Sequence, residues 1–326
     1  GSMLMANCAE DGEVPTGPFF RFGVATVRAG TVLSGAQAIV RLADGRLIVA
    51  GYAENTGGTS GRDMVLVRLL ADGSPDRTFG SNGLAIFDLG SLPAPGSEAH
   101  DTPTAMAVLP NGGLVVVGYS DRPNGDRNAF VTKHRPDGTL DPTFDGGGTF
   151  AIAGVFLADL SGLADPAFAD TPDAFHAVAM ATENGVLAIY AAGYVTGDVA
   201  ATGTPSREAV VVKLTASGLL DDGSLLPEAD PTPGAFGVGG LVVSNGGSVL
   251  SDDEELTALG VAQVGGGVVW IVAGGRVSAS GVGDSVLAAW TPAGASVVWW
   301  TADVGGDDGV RALLIDSNAE TGVTEG

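Results

Sequence analysis

Residues Ala36–Ala53 read AQAIVRLADGRLIVAGYA, and residues Asp63–Leu89 read DMVLVRLLADGSPDRTFGSNGLAIFDL. Short apolar runs alternate here with Asp-Gly turns. Such turns favour tight hairpins, because glycine adopts a positive φ without steric cost and aspartate tolerates one. The two segments therefore predict a meander of four short antiparallel strands.

The same pattern recurs along the chain, which is the mark of a repeat protein. A partial copy starts at residue 307, and it follows four clear copies near residues 36–89, 103–152, 175–243 and 256–300. We refer to these four as repeats 1 to 4. Their spacing fits one four-stranded sheet with its loops. We predict an all-β fold, a β-propeller-like array of four-stranded antiparallel blades.

The first two repeats resemble the bacterial delta-60 β-propeller repeat. The resemblance rests on the runs DGRLIVAGY, VLVRLLADGSPDRTFGSNG and VTKHRPDGTLDPTFDGGG. It is strong from Ala36 to Gly148 and degenerate from Phe175 to Gly294, where Ser217-Gly218 and Ala293-Gly294 replace Asp-Gly. The resemblance implies a propeller-like fold in large exported bacterial proteins and brings no catalytic motif. We therefore expect an extracellular or cell-surface location.

The charge excludes two classes of partner. The 326 residues include 15 Lys and Arg against 38 Asp and Glu, for a net charge of −23, and the only lysines are Lys133 and Lys213. Such a chain repels nucleic-acid phosphates and anionic membrane surfaces. Its apolar runs are also too short to span a membrane. We expect neither a nucleic-acid partner nor a membrane span.

The N-terminal residues read as an addition to the repeat domain. Gly1-Ser2-Met3 resembles a tag remnant, so we expect a flexible tail over residues 1–18 and a single domain over residues 19–326. Cys8 is the only cysteine, which excludes an internal disulfide. It is either a lipid anchor or part of a disordered tail. We expect a piece of a longer array, whose unfinished sheet edge could recruit another molecule.

Acidic turns offer weak candidates for calcium, the one cofactor that the sequence suggests. Oxygen ligands grouped in loops can bind Ca²⁺, but a calcium site needs six to eight oxygens. The alternative is that each leading aspartate forms an Asx turn with its own backbone. The candidates are Asp72, Asp76, Asp137, Asp141, Asp121 and Asp126.

Charged residues also recur at one strand of each repeat. The third strand opens with Asp63, Asn128, Glu208 or Asp284, and five residues later stand Arg68, Lys133, Lys213 or Ala289. These side chains form either a ring of charge along a central channel or a repeated structural cap. The tyrosines that end each second strand, Tyr52, Tyr119 and Tyr194, either stack against carbohydrate or seal the strand end.

The sequence carries no motif for nucleophilic, zinc or phosphate-loop chemistry. We therefore expect a non-enzymatic extracellular module that binds a protein or glycan partner or acts as a spacer. One alternative is a propeller enzyme with its site at the channel mouth, using His100, His176, Asp101 and Asp173. The other is a module that calcium stabilises.

Overall fold

The all-β prediction is confirmed by the computed structural model. The described residues contain nineteen strands and one short helix. They are residues 3–6, 24–27, 34–54, 61–89, 99–122, 124–144, 150–164, 167, 169, 171–183, 185–197, 205–221, 236–237, 239–244, 253–264, 268–279, 282–291, 294, 296–302 and 309–313. No helix within these ranges is both long and apolar enough to cross a membrane.

Repeat 1 is a four-stranded antiparallel meander. Its strands follow one another in space as they do in sequence, and they are β3 (Ser34–Arg41), β4 (Leu47–Glu54), β5 (Arg62–Leu69) and β6 (Leu84–Phe87). The first strand carries a bulge between Ala36 and Ala38. The two strands that precede this repeat, β1 (Met3–Ala6) and β2 (Val24–Val27), pair with each other, and Cys8 lies outside the described residues.

Repeat 2 continues the same hydrogen-bonded network. It comprises β7 (His100–Val108), β8 (Leu114–Asp121), β9 (Arg127–His134), β10 (Phe150–Ile152) and β11 (Val155–Ala158). The network runs in the order β10-β11-β9-β8-β7-β5-β4-β3. The link between the repeats is one parallel bridge, Arg62 with His100. A five-residue helix, α1 (Leu160–Ala164), follows the last strand.

Repeats 3 and 4 each form a four-stranded sheet whose spatial order follows the sequence. The first contains β12 (Ala174–Glu183), β13 (Val186–Gly197), β14 (Ser206–Thr215) and β15 (Leu241–Ser244). The second contains β16 (Asp253–Val264), β17 (Val268–Ala279), β18 (Val282–Trp290) and β19 (Ser296–Ala302). The predicted partial copy is represented by residues 309–313, where the N–H of Val310 donates to the carbonyl of Gly275.

The chain divides into two compact units. Unit 1 contains residues 1–176 and 217–219, and unit 2 contains residues 177–216 and 220–326. The core of unit 1 is built from the middle strands of repeats 1 and 2, with Leu66 and Val116 fully buried. The core of unit 2 is centred on Tyr190 and Trp290. The single domain over residues 19–326 stays a prediction, as does association through an open sheet edge.

The Asp-Gly turns and the Asn-Gly turn of repeat 2 fall where the sequence placed them. Gly45, Gly73, Gly112 and Gly138 all have φ between +78° and +90°. Gly138 has a second constraint, because the Phe79 ring of repeat 1 packs against it and a Cβ at this position would lie 2.7 Å from the ring. Phe79 ends a turn that begins at Asp76, and the next residue, Gly80, donates its N–H to the carbonyl of Asp137. The repeated motif therefore joins one repeat to the next.

Candidate functional site

Three carboxyl groups converge where repeat 1 meets repeat 2. Oxygen atoms of Asp63, Asp88 and Asp101 all lie within 4.8 Å of one another. The backbone explains this arrangement, since Asp63 and Asp101 directly follow the bridged residues Arg62 and His100. Asp88 is the first residue after β6. Among the described residues, this is the one group of three or more ligating side chains that comes together. We call it the junction cluster.

Two of the three groups are inside the protein. Asp63 and Asp101 are 4% and 0% exposed, whereas Asp88 is exposed. The Oδ2 atom of Asp101 accepts the N–H of Leu89 at 2.6 Å. Its Oδ1 atom is buried without a hydrogen bond of normal geometry from any described residue. A buried carboxylate oxygen in this state is costly unless a proton or a cation satisfies it.

The cluster raises the affinity of its inner carboxyl groups for protons. Burial raises the pKa of Asp101 to about 7, against the opposing effects of the Ser120 hydroxyl and the Leu89 N–H. Burial also raises the pKa of Asp63 to about 6, and the charge of Asp88 adds to this shift. Neither Asp63 nor Asp101 forms an ion pair with a described residue. The inner carboxyl groups therefore favour a proton, or a cation in its place.

The junction of repeats 2 and 3 has residues at the equivalent positions. They are Asn128 in β9, Asp159 after β11 and Asp173 before β12. The Oδ2 atom of Asp173 accepts the N–H of Leu160 at 2.5 Å, which repeats the bond between Leu89 and Asp101. Burial raises the pKa of Asp173 well above its usual value. We call these three equivalent positions the carboxyl frame. The frame recurs at both junctions, but its side chains and their hydrogen bonds differ between the two.

The recurring cations of the third strands form buried ion pairs. Each pairs with the aspartate eight residues later, and the distances are 2.8 Å for Arg68–Asp76, 3.3 Å for Lys133–Asp141 and 2.7 Å for Lys213–Asp221. Lys213 also contacts Glu183 at 2.8 Å. Burial lowers the pKa of Lys213, but its bonds to Asp221 and Glu183 outweigh this and raise it. The sequence left open a ring of charge along a channel or a repeated structural cap, and the contacts of these cations agree with the cap.

Most of the calcium candidates in the turns are engaged by their neighbours. Asp72 accepts the N–H and hydroxyl of Ser74, and Asp137 accepts those of Thr139. These are Asx turns. Asp121 pairs with Arg127 at 2.6 Å, and Asp126 accepts the side-chain amide N–H of Asn128 at 3.1 Å. Asp76 and Asp141 form the ion pairs described above and also accept the hydroxyl groups of Thr78 and Thr143. Calcium binding by these residues stays a prediction.

The proposed enzyme residues separate into different surroundings. Asp101 lies in the junction cluster, and Asp173 binds the start of α1. His100 is exposed, and its Nδ1 accepts the N–H of Arg62 at 3.0 Å. His176 is half-buried at the start of β12.

The recurring tyrosines share a partner that the sequence did not predict. An arginine that opens the neighbouring strand lies over each ring, at 4.8 Å for Arg62 on Tyr52, 3.9 Å for Arg127 on Tyr119 and 4.5 Å for Arg207 on Tyr194. Such cation–π contacts stabilise the strand ends. Each arginine covers one ring face, so that face is closed to a sugar.

Comparison with known proteins identifies the repeat. A family model described as a β-propeller domain of unknown function (DUF5122) matches residues 42–79 and 109–144. The chain therefore carries a β-propeller-like repeat, as the sequence indicated, although the match does not single out the delta-60 repeat. None of the curated protein sequences matches the chain.

Two solved structures are similar to the chain at low identity. An α-L-arabinofuranosidase from Clostridium thermocellum has a TM-score of 0.33 and 13% identity, with 87% of this chain and 76% of that chain covered. A GH43 β-xylosidase/α-arabinofuranosidase from a compost microbial metagenome has a TM-score of 0.33 and 10% identity, with 82% and 77% covered.

These matches correct the expected function. The sequence predicted a non-enzymatic module for partner binding or spacing, whereas both similar structures are enzymes. That prediction is withdrawn. Likeness at this level does not transfer an activity or a substrate, so the function has to be argued from the residues of the chain itself.

Proposed function

We propose that the chain binds a divalent cation, with calcium the first choice, at the junction cluster. The observation that carries the proposal is the side chain of Asp101, whose buried Oδ1 lacks a hydrogen bond of normal geometry among the described residues and whose carboxyl group lies beside two others. Calcium takes six to eight oxygen ligands, and carboxylates provide one or two each. Three aspartates supply up to six of them, with water at the exposed side of Asp88.

Electrostatics supports a cation at this place. Asp63 and Asp101 are buried and form no ion pair with a described residue, so their ionised forms repel each other and the charge of Asp88. Leaving a buried charge without a partner costs several kcal/mol. A bound divalent ion becomes the largest local charge and removes most of this repulsion.

The cation would also hold two repeats together, because its ligands come from both. Asp63 and Asp88 belong to repeat 1, and Asp101 lies in the first strand of repeat 2. A ligand that binds only the folded state raises stability by RT ln(1 + [L]/Kd). With a Kd near 0.1 mM, at the tight end of extracellular modules, 5 mM Ca²⁺ would contribute about 2 kcal/mol.

The experiment compares Asp63→Asn with Asp72→Asn. Asp72 is an exposed aspartate in an Asx turn of the same repeat, and asparagine preserves that turn. We expect calcium to raise the melting temperature of the wild type and of Asp72→Asn over the value in EDTA, and to leave Asp63→Asn unchanged. Equilibrium dialysis should give one calcium per chain. A wild type that binds no calcium refutes the proposal, and loss of binding in Asp72→Asn alone would place the site in the turns.

The repeat type and the cellular location of the chain are also part of the proposal. We propose that repeats 1 to 4 are blades of the delta-60 type in an exported bacterial protein, four-stranded except for the additional strand β10 in repeat 2. A calcium site of millimolar to submillimolar affinity suits the outside of a cell. Protease treatment of intact cells that make the protein natively would test the location, because an exported chain is cut and an internal one is protected.

A second candidate is an enzyme that uses the same carboxyl groups. Pairs of aspartate or glutamate supply the acid and the base of many hydrolases. Here one exposed carboxyl lies within 4.8 Å of two buried ones. The test is hydrolysis of chromogenic glycosides in EDTA, starting with the arabinofuranosides and xylosides named for the two similar structures. Activity that Asp101→Asn removes and Asp173→Asn retains would support the enzyme, and no activity on any glycoside would refute this form of it.

A further inference from the structure

We infer that the junction of repeats 2 and 3 is a metal-free version of the same frame, and that Asn128 and Ser161 decide this. The inference rests on the proposed function of the junction cluster and adds the residues that make a repeat junction bind a cation or not. In this reading, the repeat supplies the carboxyl frame at both places. Hydrogen bonds from α1 replace the cation at the second.

The two frames match in position and in one shared contact. Asp63 and Asn128 are each the second residue of a third strand. Asp88 directly follows β6 and Asp159 directly follows β11, the strands that pair with the third strands β5 and β9. The leucine N–H after each of these two aspartates donates to the Oδ2 atom of the aspartate at the start of the next repeat, at 2.6 and 2.5 Å.

The first difference is the other oxygen of that last aspartate. The Oδ1 atom of Asp101 lacks a hydrogen bond of normal geometry among the described residues. The Oδ1 atom of Asp173 accepts both the N–H of Ser161, at 3.2 Å, and the Ser161 hydroxyl. Ser161 lies in the first turn of α1 and follows Leu160 as Gly90 follows Leu89, so the sequence of repeat 1 has a glycine where repeat 2 has this hydroxyl. A fully satisfied carboxylate has less need of a cation.

The second difference is the number of charges. Asn128 places a neutral amide where repeat 1 has a carboxylate, and its amide group donates to Asp126 at 3.1 Å. Asp159 is also engaged, since its Oδ1 accepts the N–H of Gly162 at 2.8 Å. The second junction therefore has two carboxylates bound by backbone and hydroxyl donors. Calcium affinity falls when the ligand charges are fewer.

The first test uses the same substitution at the two equivalent aspartates. Asp101→Asn and Asp173→Asn are isosteric, and both keep an oxygen that can accept the leucine N–H. Equilibrium dialysis should give no calcium per chain for Asp101→Asn and one for Asp173→Asn. Retained binding in Asp101→Asn, or lost binding in a folded Asp173→Asn, overturns the inference.

The second test converts the second junction. The double variant Asn128→Asp with Ser161→Ala restores the third carboxylate and removes the hydroxyl from Asp173. We expect two calcium ions per chain instead of one. If the wild type binds one ion and Asp63→Asn none, but the folded double variant still binds one, the proposed function holds and this inference fails. If the wild type binds none, the proposed function itself has failed.

Discussion

The contact of Phe79 with Gly138 joins repeats 1 and 2, and Gly138→Ala tests how rigid it is. The φ of Gly138 is +90°, a conformation that costs an L-residue about 1–2 kcal/mol. The new Cβ would also lie 2.7 Å from the Phe79 ring, which is fully buried and has little room to move. Overpacking of this kind costs about 1–3 kcal/mol. We expect a total loss of about 2–5 kcal/mol.

Gly125→Ala is the matched control for this prediction. Gly125 has a φ of +91°, and no atom lies within 4 Å of the position its Cβ would take. The two variants therefore share the backbone strain and differ in the contact with Phe79. The assay is urea unfolding followed by far-ultraviolet circular dichroism. Gly138→Ala should lose about 1–3 kcal/mol more than Gly125→Ala.

A double-mutant cycle identifies the source of the difference. If the ring of Phe79 causes the extra loss, Phe79→Ala combined with Gly138→Ala should be less destabilised than the sum of the two single variants. Equal losses in Gly138→Ala and Gly125→Ala would refute the reasoning, because they would show that the turn of repeat 2 does not depend on the ring of repeat 1.

Three further predictions concern buried polar groups. Burial lowers the pKa of His134 to about 4, so between pH 4 and 6.5 the unfolded chain binds more protons than the folded one, and the free energy of unfolding should rise by about 3 kcal/mol over this range. His134→Gln should remove that rise, and an unchanged pH dependence would contradict the prediction. Lys213→Met leaves two buried carboxylates without their cation and should cost about 3–5 kcal/mol in urea unfolding. Arg207→Met, which removes an exposed ion pair and a cation–π contact, should cost about 1–2 kcal/mol, and equal losses would disprove the buried pair. Thr104→Val removes the 2.7 Å bond from its hydroxyl to the carbonyl of Phe175 and should lower stability by about 1 kcal/mol, and no loss on calorimetry would count against this link.

Local sequence rules predicted the parts of the fold that depend on neighbouring residues. Asp137-Gly138 reads as a turn because only a few residues tolerate its φ, and the structure has +90° there. The continuous apolar run Leu114–Val117 is typical of a strand covered on both faces, and all four residues are 0% exposed. The constant spacing of eight residues, as between Arg68 and Asp76, is the sequence signal for the ion pairs.

The junction cluster could not be found in this way. Asp63 and Asp88 lie side by side because Met64 pairs with Phe87 within repeat 1, and the bridge between Arg62 and His100 adds Asp101 from repeat 2. The sequence placed Asp63 among the recurring charges and Asp101 among the enzyme candidates, without a reason to join them. A site made by two repeats depends on how the repeats pair, and this pairing leaves no local pattern.

The ion pairs of the third strands have a practical consequence for handling the protein. Lys133 and Lys213 are the only lysines of the chain, and they are 9% and 7% exposed in their pairs. An amine-reactive dye or a lysine-directed protease therefore finds almost no lysine target until the third strand of repeat 2 or 3 opens. The rate of such labelling measures the local opening of these two strands, one reporter in each unit.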